Sequence, residues 1–232
     1  IIGDASLSGG MAFEALNQLG QLQTPMVIIL NDNEMSISRN VGALARYLGE
    51  KRASREYTRT RDSVQSVLEA SGPLGRGLVD LGRNAKDSFK QMVIPGEMLF
   101  EKLGITCTAP IPGHDIAALK RALRVCLEAD GPTLLHVVTK KGKGYEPAEK
   151  NPSKFHGIGP YDIATGEVKK GSSSAPKYTS VFSKAIVVEA DLDHDIVSIT
   201  AAMKDVTPLD SISENLPILF IETRFSEEHD MS

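Results

Sequence analysis

Two short polar segments stand directly after predicted apolar strands and could bind a metal ion and an anion. Asp4 follows the short run Ile1-Ile2, and Asn31–Asn33 follows the run Met26–Leu30. Because parallel strands of an open α/β sheet end at the edge where such folds bind ligands, we expect both segments there. The Asp4 carboxylate and the Asn33 amide oxygen are hard ligands that suit Mg²⁺. The competing interpretation is that these residues only cap helices and shape turns.

Three further segments could carry chemistry. The loop Lys140–Tyr145 places lysines among glycines after a predicted buried strand, and it is either an anion-binding loop or a solvated run of charge. His156 follows Phe155 in a turn-rich segment, where it could transfer a proton or be an ordinary surface residue. Glu227 lies in the acidic run Ser226–His229, which is either part of a site or an acidic surface tail.

Composition excludes several classes of protein. The chain has 232 residues, a net charge of −4, no Trp and 5% aromatic residues, which argues against nucleic-acid binding. No apolar run reaches the roughly 18 residues that cross a bilayer, so no membrane association is expected. Cys107 and Cys126 are too few for a disulfide scaffold, and we expect them to be packing thiols in a reducing compartment. The sequence contains neither the dinucleotide fingerprint nor a Walker phosphate loop.

The apolar runs predict the strands that must position these residues. Their continuous apolar character is typical of strands buried on both faces of a parallel sheet. Strands are predicted at Met26–Leu30, Gly104–Thr108, Thr133–Val138 and, further along, about 196–199 and 218–221.

Helices are predicted between these strands. One runs from Met11 to Leu19 and is expected to end at Gly20, as helices commonly do at glycine. A second begins after Asp115 as its N-cap, and a third covers about 180–189. The apolar stripe of the second helix is predicted to comprise Ile116, Leu119, Leu123 and Leu127. Strands alternating with helices predict an α/β fold with a parallel sheet flanked by helices.

Composition also divides the chain into regions. Residues 1–150 are predicted to form part of one domain, with a basic, turn-rich insertion at about 50–93 that we expect to be mobile. Residues 151–177 are rich in Pro, Gly and Ser and are interpreted as a linker to a second α/β unit at 178–232. Because the sequence opens within a predicted strand, we expect a fold that is incomplete at both ends. An upstream targeting peptide would not be visible in it.

Several of these segments resemble one enzyme family. Gly3-Asp4 together with Asn31–Asn33 is similar to the GDG…NDN motif of thiamine-diphosphate enzymes. The segments Gly10–Asn17, Leu30–Ser38 and Thr139–Lys150 resemble the 1-deoxy-D-xylulose-5-phosphate synthases, which are transketolase-like. The resemblance implies a transketolase-like thiamine-diphosphate-binding fold. Its diphosphate- and Mg²⁺-binding domain would include residues 1–150, and its pyrimidine-binding domain would begin at 178–232.

The resemblance also implies an activity. Members of this family are transferases that use thiamine diphosphate and Mg²⁺ to condense pyruvate, with loss of CO₂, with D-glyceraldehyde 3-phosphate. The product serves isoprenoid and thiamine biosynthesis. A homodimer is implied, in the bacterial cytoplasm or in a plastid. The alternatives are a related transketolase-type enzyme and an inactive, truncated copy that only folds and dimerises; the block Thr139–Lys150 favours the synthase over a transketolase.

The resemblance assigns roles to the residues around the first motif. Asp4, Asn33 and the backbone carbonyl of Met35 correspond to the Mg²⁺ ligands, and Ala5 and Ser6 to residues that contact the diphosphate. Ala5 stands where the family has glycine. A methyl group there is accommodated if the φ of Ala5 is negative and is strained if it is positive.

The resemblance also assigns roles to the remaining candidate residues. Lys141 is expected near the diphosphate and substrate, Tyr145 in the wall of the active site, and His156 near the reactive end of the cofactor, where it assists proton transfer or holds the keto acid. Glu227 matches the glutamate that hydrogen-bonds N1′ of the aminopyrimidine and so takes part in catalysis. The pair His114-Asp115 is expected to cap a helix and hydrogen-bond the neighbouring loop rather than to act in catalysis.

Overall fold

The computed structural model describes residues 1–36, 40, 42–53, 99–168, 175–201 and 209–223. It divides into two compact units, one formed by Ile1–Glu34 with Ala43–Lys140 and the other by Met35–Gly42 with Lys141–Ser232. The insertion predicted at about 50–93 lies, apart from its first residues, outside the described part of the chain. Its mobility therefore stays a prediction.

The first unit contains a parallel sheet. Its strands are β1 (Ile2–Gly3), β2 (Val27–Asp32), β3 (Thr106–Cys107), β4 (Ile111–Pro112) and β5 (Thr133–Val138). They are ordered β1-β2-β5-β3, with β4 also paired to β5, and every pairing is parallel. The predicted parallel sheet is confirmed, although β3 is shorter than predicted and β2 continues to Asp32.

Helices cover both faces of this sheet. They are α1 (Gly10–Leu22), α2 (Ala43–Ala53), α3 (Leu99–Lys102) and α4 (Ile116–Leu127). Ile28 and Leu30 of β2 pack in a cluster with residues of α1, α2 and α3, whereas Val27 and Ile29 pack in the cluster beneath α4. Burial on both faces explains why the strand sequence is continuously apolar rather than alternating.

The predicted end of α1 at Gly20 is wrong, because the helix continues to Leu22. Gly20 instead lies where the backbone of α1 approaches the turn after α3. A Cβ atom on Gly20 would lie 1.9 Å from the carbonyl oxygen of Leu103. Gln23 is the C-cap of the helix, with a φ of 51°, and its side-chain amide donates to the carbonyls of Gly20 and Gly104 at 2.6 and 3.1 Å.

Replacing Gly20 by Ala should therefore destabilise the protein despite the better helix propensity of Ala. Overpacking of a tight contact costs about 1–3 kcal/mol, which exceeds the roughly 1 kcal/mol that Gly→Ala gains within a helix. Urea denaturation should show a lower midpoint for Gly20→Ala. Gly10→Ala, in the same helix, is the control, because a Cβ atom there has nothing within 4 Å. Equal midpoints for the two variants would contradict the close approach.

The start of α4 is as predicted, and its predicted apolar stripe is confirmed in part. Asp115 caps the helix by accepting the amide of Ala118 at 2.9 Å. Leu119 and Leu123 of that stripe pack against the core, whereas Ile116 is 60% and Leu127 71% exposed. The fully buried positions are small residues, which let the helix lie close to the sheet: Ala118, Ala122 and Cys126.

The second unit contains α5 (Glu146–Lys150), α6 (Tyr178–Leu192) and α7 (Asp210–Asn215), and the strands β6 (Ser198–Thr200) and β7 (Phe220–Glu222). The two strands pair in parallel. The helix predicted at about 180–189 and the strands predicted at about 196–199 and 218–221 are thus confirmed, with shifted ends. Within the described residues of both units, no helix has the length and apolar character needed to cross a membrane.

Candidate functional site

Asp4 lies at the carboxyl edge of the sheet, directly after β1. Its backbone amide donates to the carbonyl of Asn31 at 3.2 Å, which continues the pairing of β1 with β2. The side chain is buried, with 7% exposure. Its Oδ1 accepts the amide of Ala5 at 3.0 Å, and its Oδ2 accepts the amide of Glu34 at 2.8 Å. The two polar segments therefore meet at one edge of the sheet, as their positions after the strands predicted.

The turn after Asp4 accommodates the alanine that replaces the family's glycine. Ala5 has a φ of −69° and a ψ of −44°, a conformation open to any residue. It precedes a single 3₁₀ turn at Ser6–Ser8. The methyl group therefore introduces no backbone strain at this position, which answers the question that the sequence left open.

A second buried carboxylate, Asp32, lies beside Asp4. Burial of Asp4, followed by the charge of Asp32 and a hydrogen bond with it, raises the pKa of Asp4 to about 6, against the lowering effect of the Ala5 and Glu34 amides. Asp32 is also bonded to His136, with Nε2 and Oδ2 2.8 Å apart. Sequence reasoning assigned no role to His136. The available signal was a lone ionisable residue within the otherwise apolar strand Thr133–Val138.

Glu34, whose amide lies between the carboxylates of Asp4 and Asp32, has an unusual backbone conformation. Its φ is 63°, in the left-handed region that non-glycine residues rarely adopt. In this conformation its amide points to both aspartates, 2.8 Å from Oδ2 of Asp4 and 3.3 Å from Oδ1 of Asp32. Asn33, the other predicted side-chain ligand, is half-buried and lies within this loop.

The oxygen atoms at this edge are of the kind that bind a hard cation, with a bound anion supplying part of the coordination. Among the described residues, no three His, Cys, Asp or Glu side chains are grouped as a metal site. The predicted ligand set needs only one such side chain, Asp4, with the amide of Asn33 and the carbonyl of Met35. Each oxygen of Asp4 has capacity for an acceptor contact beyond its backbone amide. Burial and the neighbouring Asp32 charge raise the pKa of Asp4, and a cation bound there would oppose both effects.

In the second unit, Lys141 lies between two acceptors. Its Nζ donates to the carbonyl of Ser36 and to Nδ1 of His156, the latter at 3.0 Å. Because an ammonium group can only donate, Nδ1 accepts, and the neutral imidazole carries its proton on Nε2. Burial and, second, the charge of Lys141 lower the pKa of His156, which agrees with a neutral ring.

Glycine lets the cationic loop fold tightly against α5. Gly142 has a φ of 79°, and a Cβ atom there would lie 2.6 Å from the backbone carbon of Ala148. Tyr145 then packs edge-on to Phe155, with ring centroids 5.5 Å apart, and its hydroxyl donates to the carbonyl of Ile163 at 2.8 Å. The second unit thus brings Lys141, Tyr145 and the Phe155-His156 pair into one local structure.

The remaining candidates are structural or lie outside the described residues. His114 Nε2 accepts the amide of Lys140 at 2.8 Å, so the predicted loop contact of His114 is confirmed alongside the Asp115 cap. Cys107 and Cys126 are free and buried, and burial raises the pKa of each thiol to about 12. They are packing thiols, as expected. Glu227 lies outside the part of the chain that the structure describes.

Comparison with known proteins identifies close sequence relatives. The family model described as 1-deoxy-D-xylulose-5-phosphate synthase matches residues 1–139. The chain is 48% identical over 229 residues to the 1-deoxy-D-xylulose-5-phosphate synthase of Desulforudis audaxviator, and 46% identical over 229 residues to that of Lachnoclostridium phytofermentans. Each match covers 99% of this chain and 36% of the relative, so the chain spans about a third of the length of these relatives.

Proposed function

The chain belongs to the 1-deoxy-D-xylulose-5-phosphate synthase family, with its transketolase-like fold, and from that premise we propose that it condenses pyruvate with D-glyceraldehyde 3-phosphate, releasing CO₂. The observation that carries the proposal is the buried carboxylate of Asp4, bonded at 2.8 Å to the loop that contains Asn33. This juxtaposition at the carboxyl edge of the sheet is the arrangement that the family's metal motif requires.

Mg²⁺ and thiamine diphosphate are the proposed cofactors. Asp4, Asn33 and the backbone carbonyl of Met35 would hold the metal, and Ala5 and Ser6 would contact the diphosphate. When bound, thiamine diphosphate supplies the electron sink for decarboxylation and for the new carbon–carbon bond. The unstrained turn at Ala5 and the spare acceptor capacity of Asp4 support this assignment.

Lys141 is the proposed partner of the diphosphate, and His156 is the proposed partner of the keto acid. The Lys141 ammonium would offset diphosphate charge that Mg²⁺ leaves unbalanced. With Nδ1 of His156 occupied as an acceptor, its Nε2–H is the donor that would hold an oxygen of the bound keto acid by a hydrogen bond and so assist proton transfer to it. Tyr145 is the proposed wall of the substrate site, and its ring is held by Phe155 and by its hydroxyl bond to Ile163. Glu227 is the proposed partner of N1′ of the aminopyrimidine.

The proposed oligomeric state, cell compartment and metabolic role are those expected for the family. We propose that the protein is a homodimer of the bacterial cytoplasm and supplies a precursor for isoprenoids and thiamine. The relatives named above come from bacteria. Light scattering coupled to gel filtration measures the subunit number directly.

Comparing two donor substrates tests the proposed activity. The full-length protein should release CO₂ and form 1-deoxy-D-xylulose 5-phosphate from pyruvate and D-glyceraldehyde 3-phosphate, and only when Mg²⁺ and thiamine diphosphate are present. NMR of the products and the yield of CO₂ measure this result. Two-carbon transfer from a ketose phosphate without CO₂ would instead identify a transketolase. Cofactor binding without turnover of either donor would identify an inactive copy.

A further inference from the structure

A buried hydrogen-bond chain lies behind Asp4, on the side of the sheet that faces α1. His136 and Asp32 are each 1% exposed, and their side chains are joined at 2.8 Å. The backbone amide of His136 donates to the buried hydroxyl of Thr108 at 3.1 Å. His136 is thus anchored in the centre of β5, and its ring reaches the last residue of β2.

The buried hydrogen-bond chain continues from Asp32 to Asp4 through the backbone amide of Glu34. Oδ2 of Asp32 is bonded to His136, while Oδ1 accepts the amide of Glu34 at 3.3 Å. The same amide donates to Asp4 at 2.8 Å. One N–H group therefore joins two buried carboxylates, and Glu34 adopts its positive φ to provide it. A strained residue keeps such a conformation only when surrounding contacts hold it.

The bond from His136 is one of the contacts that orient the Asp32 side chain. Asp32 is buried, so removing this donor takes away part of what compensates the desolvation of its carboxylate. Asp32 would then turn toward the Glu34 amide and compete with Asp4 for it. The loop at 32–34, which contains Asn33, would lose its defined position against Asp4.

We propose that His136 is a positioning residue for the metal site, acting through Asp32 and the Glu34 amide on Asp4 and Asn33 without touching the metal itself. The inference rests on the proposed function, since it concerns the same site. Partners behind metal ligands orient them, and losing one typically weakens metal binding by about 10–100-fold.

Binding of Mn²⁺ in place of Mg²⁺ tests this role without measuring turnover. In the full-length protein with thiamine diphosphate present, the EPR signal of free Mn²⁺ reports the metal Kd. His136→Phe removes the donor, while His136→Gln keeps an N–H group near the position of Nε2. Thr133→Val is the matched control, because Thr133 is also buried in β5 but its hydroxyl donates to the carbonyl of Gly131, at 3.4 Å, and not to the chain behind Asp4.

The expected pattern is specific to positioning. His136→Phe should raise the Mn²⁺ Kd by about 10–100-fold, and His136→Gln by less than about threefold. Thr133→Val should lower the Tm and leave the Kd unchanged. Should His136→Phe fail to fold, His136→Asn replaces it, because its shorter amide cannot reach Asp32, and the same loss of affinity is expected.

Two results would overturn the inference, and only the second would also overturn the proposed function. If the unaltered protein binds Mn²⁺ with thiamine diphosphate but His136→Phe does not weaken that binding beyond Thr133→Val, His136 is only a packing residue. If the unaltered protein shows no metal-dependent binding of thiamine diphosphate, the proposed function fails and the inference fails with it.

Discussion

Asp4→Ala should abolish metal-dependent binding of thiamine diphosphate. The substitution removes the buried carboxylate that is proposed as a direct metal ligand, and with it the 2.8 Å bond that this carboxylate accepts from the amide of Glu34. Losing a direct ligand should cost more than the roughly 10–100-fold that loss of an outer partner costs. Calorimetric titration of the full-length protein with thiamine diphosphate, with and without Mg²⁺, measures the effect.

Asp115→Ala is the matched control for this experiment. Asp115 belongs to the same unit, and its carboxylate also accepts a backbone amide, that of Ala118 at 2.9 Å. Removing this helix cap should cost about 1 kcal/mol of stability and leave cofactor affinity unchanged. Unchanged affinity in Asp4→Ala, measured beside this control, would rule out the metal-site assignment.

The second large effect is expected at Lys141. Lys141→Met keeps most of the aliphatic stem but removes the ammonium that contacts Ser36 and His156. A charge-assisted contact in a closed site is worth about 1.5–3 kcal/mol, so kcat/KM should fall by about tenfold or more. Lys143→Met is the control, because Lys143 is an exposed lysine of the same loop. Steady-state kinetics with both substrates measure kcat/KM for the two variants.

The same variant should change the titration of His156. Burial is the larger cause of the lowered pKa of His156, and the charge of Lys141 is the second. Removing that positive charge makes protonation easier, so the pKa should rise toward its ordinary value but stay below it. NMR titration of the ring measures the shift. A loss in kcat/KM below about threefold, the scale of an exposed ion pair, together with an unchanged pKa would make Lys141 a solvated surface lysine.

The amino-acid sequence by itself determined the parallel α/β sheet and the edge at which Asp4 lies beside the loop that follows β2. These conclusions depend on local pattern, because an apolar run defines a strand and the polar residues after it mark its carboxyl end. The N-cap at Asp115 and the strand Thr133–Val138 were predictable for the same reason. The motif residues also named the family, which the match over residues 1–139 confirms.

Tertiary structure alone decided the features that depend on contacts between distant parts of the chain. Gly20 lies inside α1, where the absence of a Cβ atom leaves room for the carbonyl of Leu103, and small residues occupy the fully buried positions of α4. The negative φ of Ala5 required the folded turn. The pairing of His136 with Asp32 joins residues 104 positions apart. No local pattern encodes such a pair, because its geometry arises only when β2 and β5 lie side by side.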